Sequence, residues 1–200
     1  MSIEPAAARP VGSDENVAAA YGAWLVELGH KVPELCVLVA DLADDCKTRD
    51  FAAAFPDRFV ENGIAEQDMC SVAGGMARMG LLPVVNSFGC FLASRSNEQI
   101  FNNFTEGTRI IYACHLSGLI PAGPGKSHQS LRDISLMGAL PGVEIIQPCG
   151  AEEARQALGY CVEEPQATCV LRMNAGASPT KIALPEGYRL RRGHGTLVAE

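Results

Sequence analysis

The chain has 200 residues, room for one large domain or one domain with extensions. A hydrophobic fraction of 48% is ample for a core, and 20% charged residues suit a soluble globular protein. The net charge of −7, without a basic run, argues against a nucleic-acid partner. No apolar run reaches membrane-spanning length, and the start Met1-Ser2-Ile3-Glu4-Pro5 lacks a basic-then-apolar signal. The chain therefore reads as cytoplasmic, with no membrane partner.

Residues 1–12 are rich in Ala and Pro without periodicity and read as a flexible leader. Ser13 to Glu15 can cap a helix whose apolar face is Val17, Ala20, Tyr21, Trp24, Leu25 and Leu28. Leu35 to Leu42 is a continuous apolar run, the pattern of a strand buried on both faces. Asp44 to Asp57 is charged and irregular, a loop or short helix. Gly63 to Gly80 contains a small-residue helix, and Pro83 to Phe88 follows as a strand.

The alternation continues with a helix over Ser94 to Phe104 and a strand over Arg109 to His115. A helix over His128 to Leu140, a strand over Val143 to Pro148, a helix over Ala151 to Val162 and a strand over Ala167 to Met173 complete it. Strands alternating with helices predict an α/β fold, a mostly parallel sheet with helices on both faces. In such sheets ligands bind outside the carboxyl ends of the strands, where Asp41, Leu42, Phe88, His115 and Arg172 fall. Residues 13–178 make the domain. From Pro179 the composition changes to a linker, and Thr196 to Glu200 looks like the opening strand of a further domain. The basic cluster Arg189, Arg191 and Arg192 lies in this tail and reads as a solvated turn.

Eight cysteines, with no Cys-x-x-Cys pair and no histidine at zinc-ligand spacing, read as reduced core thiols. No metal site is assigned in the chain.

Three stretches occur in order: Arg58-Phe59-Val60-Glu61-Asn62-Gly63-Ile64-Ala65-Glu66-Gln67-Asp68-Met69, then Phe88-Gly89-Cys90-Phe91, then Ser127-His128-Gln129. Glu66 taken alone reads as an ordinary acid in a first helical turn. Taken together, the three stretches resemble the pyrimidine-binding domain of the transketolase family, over nearly the whole chain. The resemblance implies thiamine diphosphate as cofactor, with Glu66 hydrogen-bonded to the far nitrogen of its aminopyrimidine. Desolvation at a strand–helix junction would favour the protonated, donating carboxyl. It also implies Phe91 as the surface on which the pyrimidine stacks, with Phe88 lining the same pocket. Leu42, after Asp41, would help keep the cofactor bent. His128 would contact donor oxygens and His115 would face the substrate channel. Arg172 would hold a distal phosphate.

The cofactor side of the pattern is intact, whereas the substrate side departs from it. The loop before His128 reads Ile120-Pro121-Ala122-Gly123-Pro124-Gly125-Lys126, without the family's acid. Asp44 and Asp45 stand where a serine often meets a phosphate, and a carboxylate there would repel one. Ser94 stands where full-length relatives commonly place a tyrosine. The family's Gly-Asp-Gly motif for diphosphate and Mg²⁺ or Ca²⁺ is absent, so that cation belongs to a partner subunit. The expectation is a split, transketolase-like transferase of small-molecule substrates, a hetero-oligomer of two-fold symmetry with a diphosphate-binding subunit. It would move a two-carbon ketol or acyl unit to an aldehyde-like acceptor. The alternatives are a deoxyxylulose-phosphate synthase, a 2-oxoacid dehydrogenase β subunit, or a non-catalytic scaffold.

Overall fold

The computed structural model describes residues 17–119, 124–163, 168–174 and 182–196. The expected leader, the capping residues Ser13 to Glu15, Ile120 to Gly123 of the pre-histidine loop, and residues 197–200 lie outside them.

Among the described residues six strands form one sheet: β1 (Leu35–Val39), β2 (Phe59–Glu61), β3 (Leu82–Phe88), β4 (Ile111–His115), β5 (Glu144–Ile146) and β6 (Cys169–Arg172). Their order is β2-β1-β3-β4-β6-β5, and every neighbouring pair is parallel. Parallel strands need long crossovers, and seven helices supply the cover: α1 (Val17–Lys31), α2 (Arg49–Ala54), α3 (Glu66–Arg78), α4 (Gly89–Arg95), α5 (Asn97–Thr105), α6 (Asp133–Met137) and α7 (Ala151–Glu163). β1 and β4 are buried at every position, as expected of strands covered on both faces.

The alternation of side chains divides the core in two. Val37, Val84, Ile111, Ala113 and Leu171 face α1 and α7, meeting Tyr21, Leu25, Leu158 and Cys161. Leu38, Val85, Tyr112 and Val170 face the other way, against Met69, Ala73, Leu92, Ile100 and Met137. None of the eight cysteines is in a disulfide, and six of them are buried.

The structure trims or divides several expected elements. The Leu35–Leu42 run ends as a strand at Val39, because Asp41 turns the chain with φ of 55°. β2 was not legible: it is three half-exposed residues at the sheet edge, too short to show alternation. The helix expected over Ser94–Phe104 is two helices that part at Ser96 (φ −103°, ψ 14°), and the first begins at Gly89. Of His128–Leu140 only Asp133–Met137 is helical. The described part of the tail has no helix or strand but packs on α7. There Leu190 N–H donates to Gln156 Oε1 at 2.8 Å, and its side chain touches the core.

Close approaches and buried polar bonds fix the layers. A Cβ on Gly22 of α1 would stand 2.4 Å from the Lys47 carbonyl oxygen, so glycine lets the loop after β1 lie against α1. Tyr21 donates its hydroxyl to Asn86 Oδ1 at 2.6 Å, joining α1 to β3. His115 Nε2 lies 3.4 Å from the same oxygen. On the other side, Arg172 ends β6 in a two-point bond to Asp133 of α6, Nε to Oδ2 at 2.8 Å and Nη2 to Oδ1 at 3.2 Å. Its Nη1 donates to Gln147.

Both arrangements carry stability. The Arg172–Asp133 pair is almost fully buried, so Arg172→Met leaves a bare buried carboxylate and should cost about 3–5 kcal/mol in urea unfolding. Arg172→Met combined with Asp133→Leu should recover most of that loss. Burial, with Lys47 adding to it, pulls the His115 imidazole down to about 3. The unfolded chain binds this proton near pH 6.5, and the fold refuses it until about pH 3. Stability should therefore be fully present above pH 6.5 and fall as pH drops below it, by up to about 1.4 kcal/mol per pH unit. Unfolding curves from pH 7.5 to 4.5 check this. An equal slope in His115→Gln would contradict it.

Candidate active site

The order of the strands reverses between β1 and β3. The chain leaves β1 outward for β2, then returns across it to β3. Such a switch opens a crevice at the carboxyl ends of the strands. The two loops that rim it are tied by one carboxylate: Glu61 Oε1 accepts the Asp41 N–H at 2.7 Å and the Gly63 N–H at 2.9 Å. Gly63 takes φ of 63°, a conformation that glycine adopts freely. Asn62 N–H adds a bond to the Val39 carbonyl at 2.9 Å. These bonds deliver the chain to Glu66, the first residue of α3.

Glu66 is 5% exposed. Its Oε1 accepts Arg95 Nη1 at 2.5 Å, whereas Oε2 has no bond to the described residues. The guanidinium lies 3.7 Å from the centre of the Phe91 ring. Phe91 and Arg95 are four apart on α4 and so share a face. Gln67, beside Glu66, donates to the Arg95 carbonyl at 3.0 Å. Both residues of the Glu-Gln pair thus hold Arg95, one by its side chain and one by its backbone. Arg95 is the site residue that sequence reasoning missed; the spacing Phe-x-x-x-Arg after the aromatic motif was the available signal.

Phe88 ends β3 and Phe91 follows on α4, their ring centres 5.5 Å apart. The His128 ring closes the group edge-on, 5.7 Å from Phe88 and 5.1 Å from Phe91. Ser127 Oγ is 2.9 Å from His128 Nδ1, leaving Nε2 as the outward nitrogen. Cys90 is half-buried beside them, and burial pushes its thiol up, away from the reactive thiolate. Glu66, Arg95, Phe91, Phe88 and His128 therefore form one connected cluster.

The other expected site residues stand apart from it. Asp41 is exposed and contributes its backbone N–H, and Leu42 is half-buried beside it on the same rim. His115 ends β4 in register with Phe88, but its ring turns beneath the sheet edge against Tyr21, at 5.2 Å. It is 1% exposed, so it does not line an open channel here. Arg172 has all three guanidinium nitrogens bonded to Asp133 and Gln147 and is only 5% exposed. In this arrangement it braces the end of β6 against α6. Asp44 is likewise engaged, by Arg49, whose guanidinium lowers its carboxyl below the usual range.

The cluster fits the pyrimidine half of thiamine diphosphate. It offers a fixed carboxyl group with one oxygen open, next to aromatic rings that exclude water. A ring stacked on Phe91 would take the face opposite Arg95 or displace the guanidinium. The diphosphate half calls for a hard cation with oxygen ligands. Among the described residues no group of three or more His, Cys, Asp or Glu is placed to hold a metal ion.

Comparison with known proteins agrees with this geometry. The family described as "Transketolase, pyrimidine binding domain" matches residues 14–180. A provisionally named transketolase C-terminal section of Methanocaldococcus jannaschii is 39% identical over 131 residues, 64% of this chain and 41% of that protein. One of the apulose-4-phosphate transketolase subunits of Phocaeicola vulgatus is 31% identical over 156 residues, 78% of this chain and 50% of that one. A solved structure described as "Split gene transketolase, inactive beta4 tetramer" superposes with a TM-score of 0.81 at 34% identity, covering 94% of this chain and 60% of that one. The chain thus spans half or less of the length of these two sequence relatives. With the parallel sheet, the glutamate at its switch point and a match along most of its length, this chain belongs to the transketolase family as a pyrimidine-binding domain.

Proposed function

We propose that the chain is the pyrimidine-binding half of a split, thiamine diphosphate-dependent transferase that moves a two-carbon ketol or acyl unit to an aldehyde-like acceptor. The observation that carries this is Glu66, buried at the head of α3 with Oε2 open and Oε1 pinned by Arg95 over the Phe91 ring.

Thiamine diphosphate, when bound, would supply a nucleophilic carbon for the donor carbonyl. The residues of this chain do the rest. Glu66 Oε2 would bond the far pyrimidine nitrogen, and Arg95 keeps that carboxyl group from rotating away. Phe91 and Phe88 hold the ring in place and keep it dry, which strengthens the polar bond to Glu66. His128, with Nδ1 tied to Ser127, presents Nε2 to donor oxygens and moves a proton as the carbon–carbon bond breaks.

The diphosphate and Mg²⁺ or Ca²⁺ belong, in this reading, to a diphosphate-binding partner subunit in a hetero-oligomer of two-fold symmetry. Two things support that: the sequence has no Gly-Asp-Gly, and the split-gene relative is described as an inactive tetramer of β chains. No helix among the described residues is long and apolar enough to cross a membrane, which accords with a cytoplasmic enzyme. A second reading, a deoxyxylulose-phosphate synthase-like reaction, is favoured by one comparison. The synthase of Chlorobium luteolum is 30% identical over 183 residues, 90% of this chain and 28% of that one. Release of carbon dioxide from a 2-oxo acid donor would select it.

Calorimetric titration of thiamine diphosphate with Mg²⁺, into the chain alone and after assembly with its diphosphate-binding subunit, should show tight binding only in the complex. Glu66→Gln should lower kcat of that complex by about a hundredfold or more while the complex still assembles. Full activity of Glu66→Gln would refute the assignment. Arg95→Met frees the Glu66 carboxyl group from its partner and should lower kcat about tenfold. An unchanged kcat there would reduce Arg95 to a surface cation.

A further inference from the structure

Gly89 stands between the two phenylalanines of the site. It follows Phe88 at the end of β3 and opens α4, two residues before Phe91. It is buried, and its φ lies outside the left-handed region, so what glycine supplies here is room. A Cβ on Gly89 would stand 2.8 Å from Ser130 Oγ and 2.9 Å from Ser117 Oγ, with Asp133 Oδ2 at 3.4 Å. The start of α4 therefore rests on the hydroxyls of two other segments, closer than any side chain would permit.

Those segments are themselves fixed. Ser117, two residues beyond β4, donates its Oγ to the Cys114 carbonyl at 2.9 Å and its N–H to the Met173 carbonyl at 3.0 Å. Ser130 donates its N–H to the Gly118 carbonyl at 3.0 Å, which ties the His128 segment to the chain beyond β4. Asp133 is held by Arg172 and does not withdraw from α4. Only Ser130 Oγ can turn, being buried without a hydrogen-bond partner among the described residues. Ser130 lies two residues from His128, as Gly89 does from Phe91. Their contact thus governs how far the Phe91 ring lies from the His128 ring, 5.1 Å between centres.

We propose that Gly89 is a positioning residue of the site: by lacking a side chain it seats α4 on Ser117 and Ser130, and so sets the spacing between Phe91, where the pyrimidine would stack, and His128. The use of that spacing in cofactor binding rests on the thiamine reading; the spacing itself rests on the contacts alone. Alanine at this position has to push α4 outward. Turning Ser130 Oγ relieves one contact and leaves the other against a hydroxyl already bonded to Cys114. Phe91 and Arg95 move with the helix, relative to both His128 and Glu66. Alanine favours a helix over glycine, so a loss on this substitution is not one of helix propensity.

In the chain alone the Phe88 and Phe91 rings flank the His128 ring, so its imidazole proton resonances carry their ring-current shifts. At fixed pH, Gly89→Ala should displace those resonances. Adding Ser117→Ala and Ser130→Ala removes both opposing oxygens and should return them toward their original positions; the Cys114 carbonyl keeps its bond from the Met173 N–H at 2.8 Å. In the assembled enzyme, Gly89→Ala should weaken thiamine diphosphate binding about tenfold by calorimetry, and the triple variant should regain most of it. Gly75→Ala in α3, where a Cβ would meet nothing within 4 Å, should change neither quantity. The proposal is overturned if Gly89→Ala leaves the His128 resonances and the cofactor affinity as they were, or if the triple variant restores neither. It is also overturned if Gly89→Ala lowers unfolding stability with the resonances unmoved, for Gly89 would then serve packing alone. Should Gly89→Ala by itself not fold, the same substitution in the Ser117→Ala, Ser130→Ala background must fold with His128 resonances like those of the original chain, and failure there overturns the proposal too. An original complex that binds no thiamine diphosphate would sink the transferase reading, while the His128 resonances would still decide the role of Gly89.

Discussion

The parallel ladder between β1 and β3 is the constraint on which everything near the site depends. Its five pairs, from Leu35 opposite Leu82 to Val39 opposite Asn86, join strands separated by more than forty residues. The chain between them leaves to form β2 on the outer side of β1 and returns through α3 on the sheet face, so the β2–α3 turn falls at the carboxyl ends of the strands. Glu66 begins α3 and is therefore carried to the switch point by topology. Local bonds then refine the placement, chiefly the Glu61 carboxylate that gathers the Asp41 and Gly63 amides.

Charge in this domain is distributed with a clear division of labour. The pair at Arg172 and Asp133 is deep and fastens α6 to the end of β6. The pair at Glu66 and Arg95 is half-open, with the arginine 47% exposed and the glutamate 6% exposed at the side chain. That asymmetry suits a site that must keep its acid still and yet admit a ring. Lys126 and Arg132, neither in an ion pair among the described residues, line one cavity beside α4. Buried polar contacts elsewhere, such as Asn103 Nδ2 to the Cys70 carbonyl at 2.7 Å, serve to lock helices onto each other.

Much of this was legible in the residues. The alternating apolar runs announced a parallel sheet, because strands buried on both faces must be apolar throughout. Glu66, Phe91, Phe88 and His128 were legible because each sits in a short motif whose chemistry needs that side chain. What escaped was set by partners distant in sequence. The bond from Arg172 to Asp133, 39 residues earlier, could not be read from the strand end alone. His115 looked channel-facing until Tyr21 and Asn86 enclosed it. β2 escaped because three half-exposed residues have no period to read, and the break at Ser96 because serine is tolerated on either side of a helix end.

The break at Ser96 has its own consequence. α4 is only seven residues long, two turns, and isolated helices of that length have little intrinsic stability. Phe91 and Arg95 therefore owe their order to what packs around them, chiefly through Leu92 and Ala93, which face the core. Amide hydrogens over residues 89–95 should then exchange with solvent before those of β1 or β4. A molecule that seats itself on this helix would lengthen their lifetimes, so the site reports its own occupancy through local protection.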